Sequence, residues 1–116
     1  MDGWHIIANF YDCNYSFDKE EKLLDQCLYL CEKSNLQIVG KSSYHFEPQG
    51  FTFAILLAES HLCMHTWPEK KSVCFDIYTC NHNQENKDKA IFVFEEIQKF
   101  LKPTRITSKH IDRKLL

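Results

Sequence analysis

Apolar and polar positions change period several times along the chain, and each change predicts an element. Residues 4–10 (Trp4-His5-Ile6-Ile7-Ala8-Asn9-Phe10) are largely apolar with a β-branched pair, which predicts an opening strand. Residues 18–33 switch to helical spacing: Leu23, Leu24, Cys27, Leu28 and Cys31 recur at steps of three and four. Asp18 followed by Glu21 predicts a capping box at the start of this helix, and Ser34-Asn35 closes it. Residues 36–46 read as a strand, and Pro48-Gln49-Gly50 as a turn. Residues 51–58 are almost continuously apolar, which predicts a strand covered on both faces.

Residues 61–67 alternate polar and apolar and stop at Pro68. Glu69-Lys70-Lys71 predicts a turn and residues 72–80 a further strand. A second helix starts at Asn86 or Asp88 and carries Ala90, Val93, Phe94, Ile97, Phe100 and Leu101 on one stripe. It ends before Pro103. Residues 104–112 predict a last, polar strand. The order expected is β-α-β-β-β-α-β, an α+β two-layer sandwich with two helices on one face of an antiparallel sheet. The other face of the sheet then needs cover, which a homodimer stacked sheet on sheet would supply.

Composition narrows the function classes. The chain has 116 residues, 44% of them hydrophobic, enough for one domain (1–116) with its own core. A net charge of -2 excludes a charge-driven nucleic-acid binder. The start, Met1-Asp2-Gly3-Trp4-His5, lacks the basic and apolar regions of a signal peptide, and residues 51–58 are too short to span a bilayer. A cytoplasmic protein with reduced thiols, no membrane partner and no nucleic-acid partner is therefore expected.

Six cysteines then ask for an explanation. Cys27 and Cys31 lie on the apolar stripe of the first helix, and with Cys13 and Cys74 they read as packing residues. His61, Cys63 and His65 share one strand face, as three zinc ligands would. That spacing is not a recurring zinc motif and no flanking Cys-x-x-Cys completes it, so no metal is expected. Ser60 has His61, His65 and Asp76 as candidate partners for nucleophilic catalysis, but it lacks the Gly-x-Ser-x-Gly elbow of a hydrolase. Taken alone, it is a polar residue at a strand end.

One series is far more specific. Pro48-Gln49-Gly50, Ala58-Glu59-Ser60-His61, His65-Thr66-Trp67-Pro68-Glu69 and Asp76-Ile77-Tyr78-Thr79-Cys80 together resemble the short prokaryotic type of S-adenosylmethionine decarboxylase. Gly3-Trp4-His5-Ile6-Ile7 through Phe10-Tyr11-Asp12-Cys13 resembles that family's first strand, so the likeness runs over essentially the whole chain. It implies a pyruvoyl enzyme that cuts itself between Glu59 and Ser60, leaving a β chain of residues 1–59 and an α chain of residues 60–116. Ser60 attacks the Glu59 carbonyl to give an ester, a base removes the α-proton, and elimination leaves dehydroalanine that hydrolyses to the pyruvoyl cofactor and ammonia.

The resemblance assigns further roles residue by residue. His65 stands at the processing position as proton acceptor, and Thr52 where a hydroxyl assists at the scissile carbonyl. The substrate amine is expected to form a Schiff base with the pyruvoyl carbonyl, which serves as electron sink while carbon dioxide leaves. Cys80 stands at the proton-donor position, Phe46 where an aromatic stacks on adenine, and Glu69 where an acid binds the ribose hydroxyls. Two positions depart from the pattern: Phe53 replaces a small residue, which is expected to reshape the pocket, and Asn81 replaces a glycine after Cys80. The expected activity is decarboxylation of S-adenosylmethionine, supplying the aminopropyl donor of spermidine synthesis, by a homodimer of processed αβ protomers. Decarboxylation of arginine or ornithine, an inactive relative acting as a regulatory subunit, and a zinc-binding module are the alternatives.

Overall fold

The computed structural model describes residues 2–81 and 84–114. Strand β1 (Asp2–Cys13) leads into helix α1 (Glu21–Lys33), followed by β2 (Ile38–His45), β3 (Phe51–Leu57), β4 (Ser60–Trp67) and β5 (Ser72–Cys80). Helix α2 (Lys87–Leu101) and β6 (Pro103–Lys114) complete the order. The six strands form one antiparallel sheet in the order β2-β3-β4-β5-β1-β6. The sequence reading therefore has the right class but is one strand short. The alternating segment before Pro68 is a strand in its own right, its Leu62, Met64 and Thr66 buried while His65 and Trp67 are exposed on the opposite face.

Strand parity decides what is core. Ile6, Ala8 and Phe10 of β1, the odd residues 51–57 of β3, and Val73, Phe75 and Ile77 of β5 point toward the helices and are buried. Leu23, Cys27, Leu30 and Cys31 of α1 and Ala90, Val93, Phe94, Ile97 and Leu101 of α2 join them in one cluster. The rings of Phe10, Phe75 and Phe94 meet at its centre, with centroids about 6 Å apart.

Among the described residues, the opposite face of the sheet carries no helix. The continuous apolar run of β3 predicts cover on both sides, yet Leu56 is 55% exposed on this open face. Ile7, Trp67 and Ile111 share that face with large exposed surfaces. Phe53 also departs from expectation. It is buried toward the helices beside Phe51 and so belongs to the core rather than to a pocket.

The predicted capping box does not form. Helix α1 starts at Glu21, and no side chain caps it. Asp18 instead accepts a hydrogen bond from the Ser16 hydroxyl at 2.7 Å. The Glu20 carboxylate is buried and accepts one from Thr66 Oγ1 at 3.0 Å, while the same Thr66 oxygen accepts the Phe51 backbone N–H at 2.9 Å. One threonine thus ties the start of α1 to β3 and β4. The Pro48 turn contains a cis Glu47–Pro48 bond and Gly50 at φ 114°, a conformation that favours glycine. The Phe46 N–H donates to the Gly50 carbonyl across it at 2.9 Å. Among the described residues, no helix is long and apolar enough to cross a membrane.

Candidate active site

Four of the residues singled out from the sequence gather at one end of β4. Thr52 of β3 and His65 of β4 are cross-strand partners, and Thr52 Oγ1 lies 3.0 Å from His65 Nδ1. They line a cleft of about 340 Å³ together with Phe46, Gln49, Gly50, Thr66, Trp67 and Glu69. The hairpin turn brings Phe46 over this cleft, because its backbone bond to Gly50 closes the loop. Pro68–Lys70 form a short 3-10 turn at the end of β4, and this turn carries Glu69 to the rim. When His65 Nδ1–H donates to the threonine oxygen, Nε2 keeps its lone pair and is free to accept a proton. The Thr52 hydroxyl proton is then available to a neighbouring carbonyl.

The remaining candidates lie at the other end of β4. Leu57 pairs with Ser60, leaving Ala58 and Glu59 as a two-residue turn between β3 and β4. The Ala58 N–H donates to the Gln37 carbonyl at 2.9 Å and fixes this turn against the start of β2. Ser60 is half-buried and opens on a cavity of about 160 Å³ lined also by Gln37, Glu59, Gln84 and Asn86. Its neighbour His61 pairs with Tyr78 of β5, so Ser60 lies alongside the end of β5 that carries Thr79 and Cys80. Cys80 is buried and unoxidised. Asn86, read from the sequence only as a helix start, donates from Nδ2 to the Cys80 carbonyl at 2.8 Å and its N–H bonds to Asn81 Oδ1. Asn81, the departure after Cys80, thus closes the link between β5 and α2.

Within one chain these two groups do not meet. Ser60 and His65 are five residues apart on one strand, about 17 Å at the usual rise. The face shared by His61, Cys63 and His65 forms no common ligand set either. His65 turns to Thr52, whereas His61 Nε2 lies 2.8 Å from Asp76 Oδ2, which also receives His5 Nε2 at 2.8 Å. The sequence offers Asp76 as a candidate partner of Ser60 and gives His5 no part in the site. Trp67 and Gln49 were likewise missed as cleft residues, although Trp67 stands at an exposed strand position where a large aromatic needs a reason.

All six cysteines are free thiols. Burial pushes Cys13 up to about 11 and Cys31 up to about 12, and raises the fully enclosed Cys27 thiol well above its ordinary value. These three are inert packing groups, as their apolar positions imply.

Comparison with known proteins places this geometry in a family. The family model described as S-adenosylmethionine decarboxylase matches residues 4–114. Among curated relatives named S-adenosylmethionine decarboxylase proenzyme, the Thermoplasma volcanium protein is 38% identical over 112 residues, 96% of this chain and 83% of that one. The Hydrogenobaculum protein is 36% identical over 115 residues, 98% of this chain and 83% of its own length. The adenosylmethionine decarboxylase of Aquifex aeolicus superposes with a TM-score of 0.85 at 30% identity, covering 98% of this chain and 92% of that one. The Trypanosoma brucei enzyme shares the fold, with a TM-score of 0.55 at 17% identity over 92% of this chain and 44% of the other. The chain belongs to the S-adenosylmethionine decarboxylase family of carboxy-lyases.

Proposed function

We propose that the chain is a proenzyme that cleaves itself between Glu59 and Ser60 and then decarboxylates S-adenosylmethionine, supplying the aminopropyl donor of spermidine synthesis. The observation that carries this reading is the Thr52–His65 hydrogen bond at the mouth of the cleft holding Phe46 and Glu69. It joins a proton acceptor, a hydroxyl donor, an aromatic face and a carboxylate, which are the groups that this processing and this substrate require.

Ser60 fits the precursor role. It is a half-buried serine at a turn, opening on a polar cavity beside a reduced thiol strand end. Its hydroxyl attacks the Glu59 carbonyl, the peptide C–N bond breaks, and the acyl group moves from nitrogen to oxygen. Removal of the residue-60 α-proton then expels the Glu59 carboxylate. The remaining enamine hydrolyses, releasing ammonia. His65 Nε2 takes the α-proton, and the Thr52 hydroxyl polarises the carbonyl under attack.

The pyruvoyl group so made would supply an electron sink when substrate is bound. Phe46 then stacks on the adenine, Glu69 accepts hydrogen bonds from the ribose hydroxyls, and the Cys80 thiol returns a proton to the product carbon. The strand spacing between Ser60 and His65 supports a site in which the two come from different copies. Two chains stacked open face to open face, antiparallel, bring the His65 end of one β4 to the Ser60 end of the other. The exposed Ile7, Leu56, Trp67 and Ile111 side chains provide apolar area for such a homodimer.

Denaturing mass spectrometry of the purified protein tests processing: two fragments of residues 1–59 and 60–116 are expected, the second with a blocked amino end. Carbon dioxide release from carboxyl-labelled S-adenosylmethionine, beside arginine and ornithine, tests the substrate. A chain that stays intact and releases nothing would overturn the reading, and release from an amino acid alone would remove the roles of Phe46 and Glu69.

A further inference from the structure

The open face carries a second polar constellation that the steps above leave unused. Asp76 Oδ2 lies 2.8 Å from His61 Nε2 and 2.8 Å from His5 Nε2, so a single carboxylate oxygen links β4, β5 and β1. The two imidazoles meet edge to face at 5.6 Å, and the Tyr78 ring packs against both. Arg113 of β6 approaches His5 Nδ1 at 3.4 Å and lies over the Tyr78 ring at 4.7 Å.

The protons on this set can be assigned. Arginine is always a donor, so His5 Nδ1 is an acceptor and His5 carries its proton on Nε2, pointing at Asp76. His61 Nε2 also faces a carboxylate oxygen, which accepts only. Burial raises the Asp76 carboxyl, but the bonds from His61 and His5 outweigh it and hold the group below its ordinary value, so it is ionised. The three atoms lie within 4.8 Å of one another, as metal ligands would, yet the nitrogens are already occupied as donors.

His61 is the second residue after the bond that is cut, directly following Ser60. Ser60 is the first residue of β4, and after cleavage it becomes a chain terminus, where fraying is the default. Resting on the function proposed above, we propose that Asp76 is a positioning residue: through His61, with His5 as counter-brace, it clamps residue 60 in place before and after cleavage. The clamp acts through hydrogen bonds to one oxygen. An asparagine that presents its carbonyl oxygen in the same place keeps both bonds and loses only the charge.

The test is the cleavage half-life of the full chain, followed by mass spectrometry below the melting temperature of each variant, with turnover expressed per cleaved chain. Asp76→Ala is expected to slow cleavage and to lower turnover per cleaved chain, each roughly ten- to a hundredfold. Asp76→Asn should stay within about threefold of the unaltered protein, while Asp76→Leu, which fills similar space without an acceptor, should be as slow as Asp76→Ala; a mere packing role predicts rescue by Leu as well. His61→Ala should match Asp76→Ala, and the double variant should be no slower than either, because they remove one interaction. If Asp76→Ala fails to fold, His61→Ala, which trims a ring at the open face, carries the test alone. A folded variant that cuts and turns over at the unaltered rate would overturn the clamp, as would multiplied effects in the double variant or loss of cleavage on adding a chelator. An unaltered chain that never cuts would instead sink the functional reading, and the clamp with it.

Discussion

At the scale of single residues, burial and hydrogen bonding divide groups that look alike in the sequence. Asp76 is one of sixteen acidic residues, yet among the described residues it alone receives two histidines on one oxygen. Its carboxyl sits below the ordinary value once folded, so it stabilises the fold above about pH 4, where the unfolded group is also ionised, and that contribution is lost as pH falls through the folded value. Thermal melts from pH 7 down to pH 2 should therefore show the gap between the unaltered protein and Asp76→Asn shrinking below about pH 4; a constant gap would contradict it. The cysteines divide in the same way. Iodoacetamide at pH 8 should leave Cys13, Cys27 and Cys31 unmodified in the folded protein, as peptide mapping would show, because burial keeps their thiols protonated. Helical spacing placed Cys27 and Cys31 in the core, and Cys13 reads as a packing residue without such a stripe. Nothing in spacing marked His5 for Asp76, since the two lie 71 positions apart and are brought together by the pairing of β1 with β5.

At the scale of elements, apolar runs and stripes placed the strand and helix segments well, although the expected order omits the alternating segment before Pro68. The pattern failed where local chemistry competes. The Asp18–Glu21 box lost to Ser16, which captures Asp18 from two residues away, and to the buried Glu20–Thr66 bond, which sets where α1 begins. Strand β1 runs to Cys13, past its apolar stretch, because β6 pairs with it as far as Cys13↔Pro103. Pairing, not hydrophobicity, sets that end. The β1–β5 pairing also explains Gly3, where a Cβ would come within 2.5 Å of the Tyr78 ring. Gly3→Ala should push Tyr78 aside and cost about 1–3 kcal/mol, read from urea unfolding. An unchanged midpoint would mean that the ring moves freely, and its packing against His5 and His61 would then be incidental.

At the scale of the whole molecule, the sheet separates the two halves of the proposed chemistry. Ser60 and Cys80 lie at one end of the β4–β5 pair, and Thr52, His65, Phe46 and Glu69 at the other. If two copies complete each other, variants with different lesions should complement. Ser60→Ala and His65→Ala, each uncut alone, should on co-expression yield cleavage of the His65→Ala chain only, because it keeps Ser60 and borrows the partner's histidine. Mass spectrometry separates the two chains. Cleavage of neither chain on co-expression would place both groups in one copy and contradict the shared site, whereas cleavage of the His65→Ala chain expressed alone would remove the histidine from the processing step.

The amino-acid sequence by itself determined the layer arrangement, the core stripe of each helix and the identity of the candidate groups. Those properties depend on period, on breakers and on local motif, all of which are written within a few residues. Only the tertiary structure decided which candidates meet. It drew Thr52 to His65 through cross-strand register, His5 and His61 to one oxygen of Asp76 across three strands, and Phe53 into the core by parity. It also set Ser60 far from His65, although the two are only five positions apart in the chain. A β-strand is extended, so neighbours in sequence are carried apart while residues far along the chain are brought side by side.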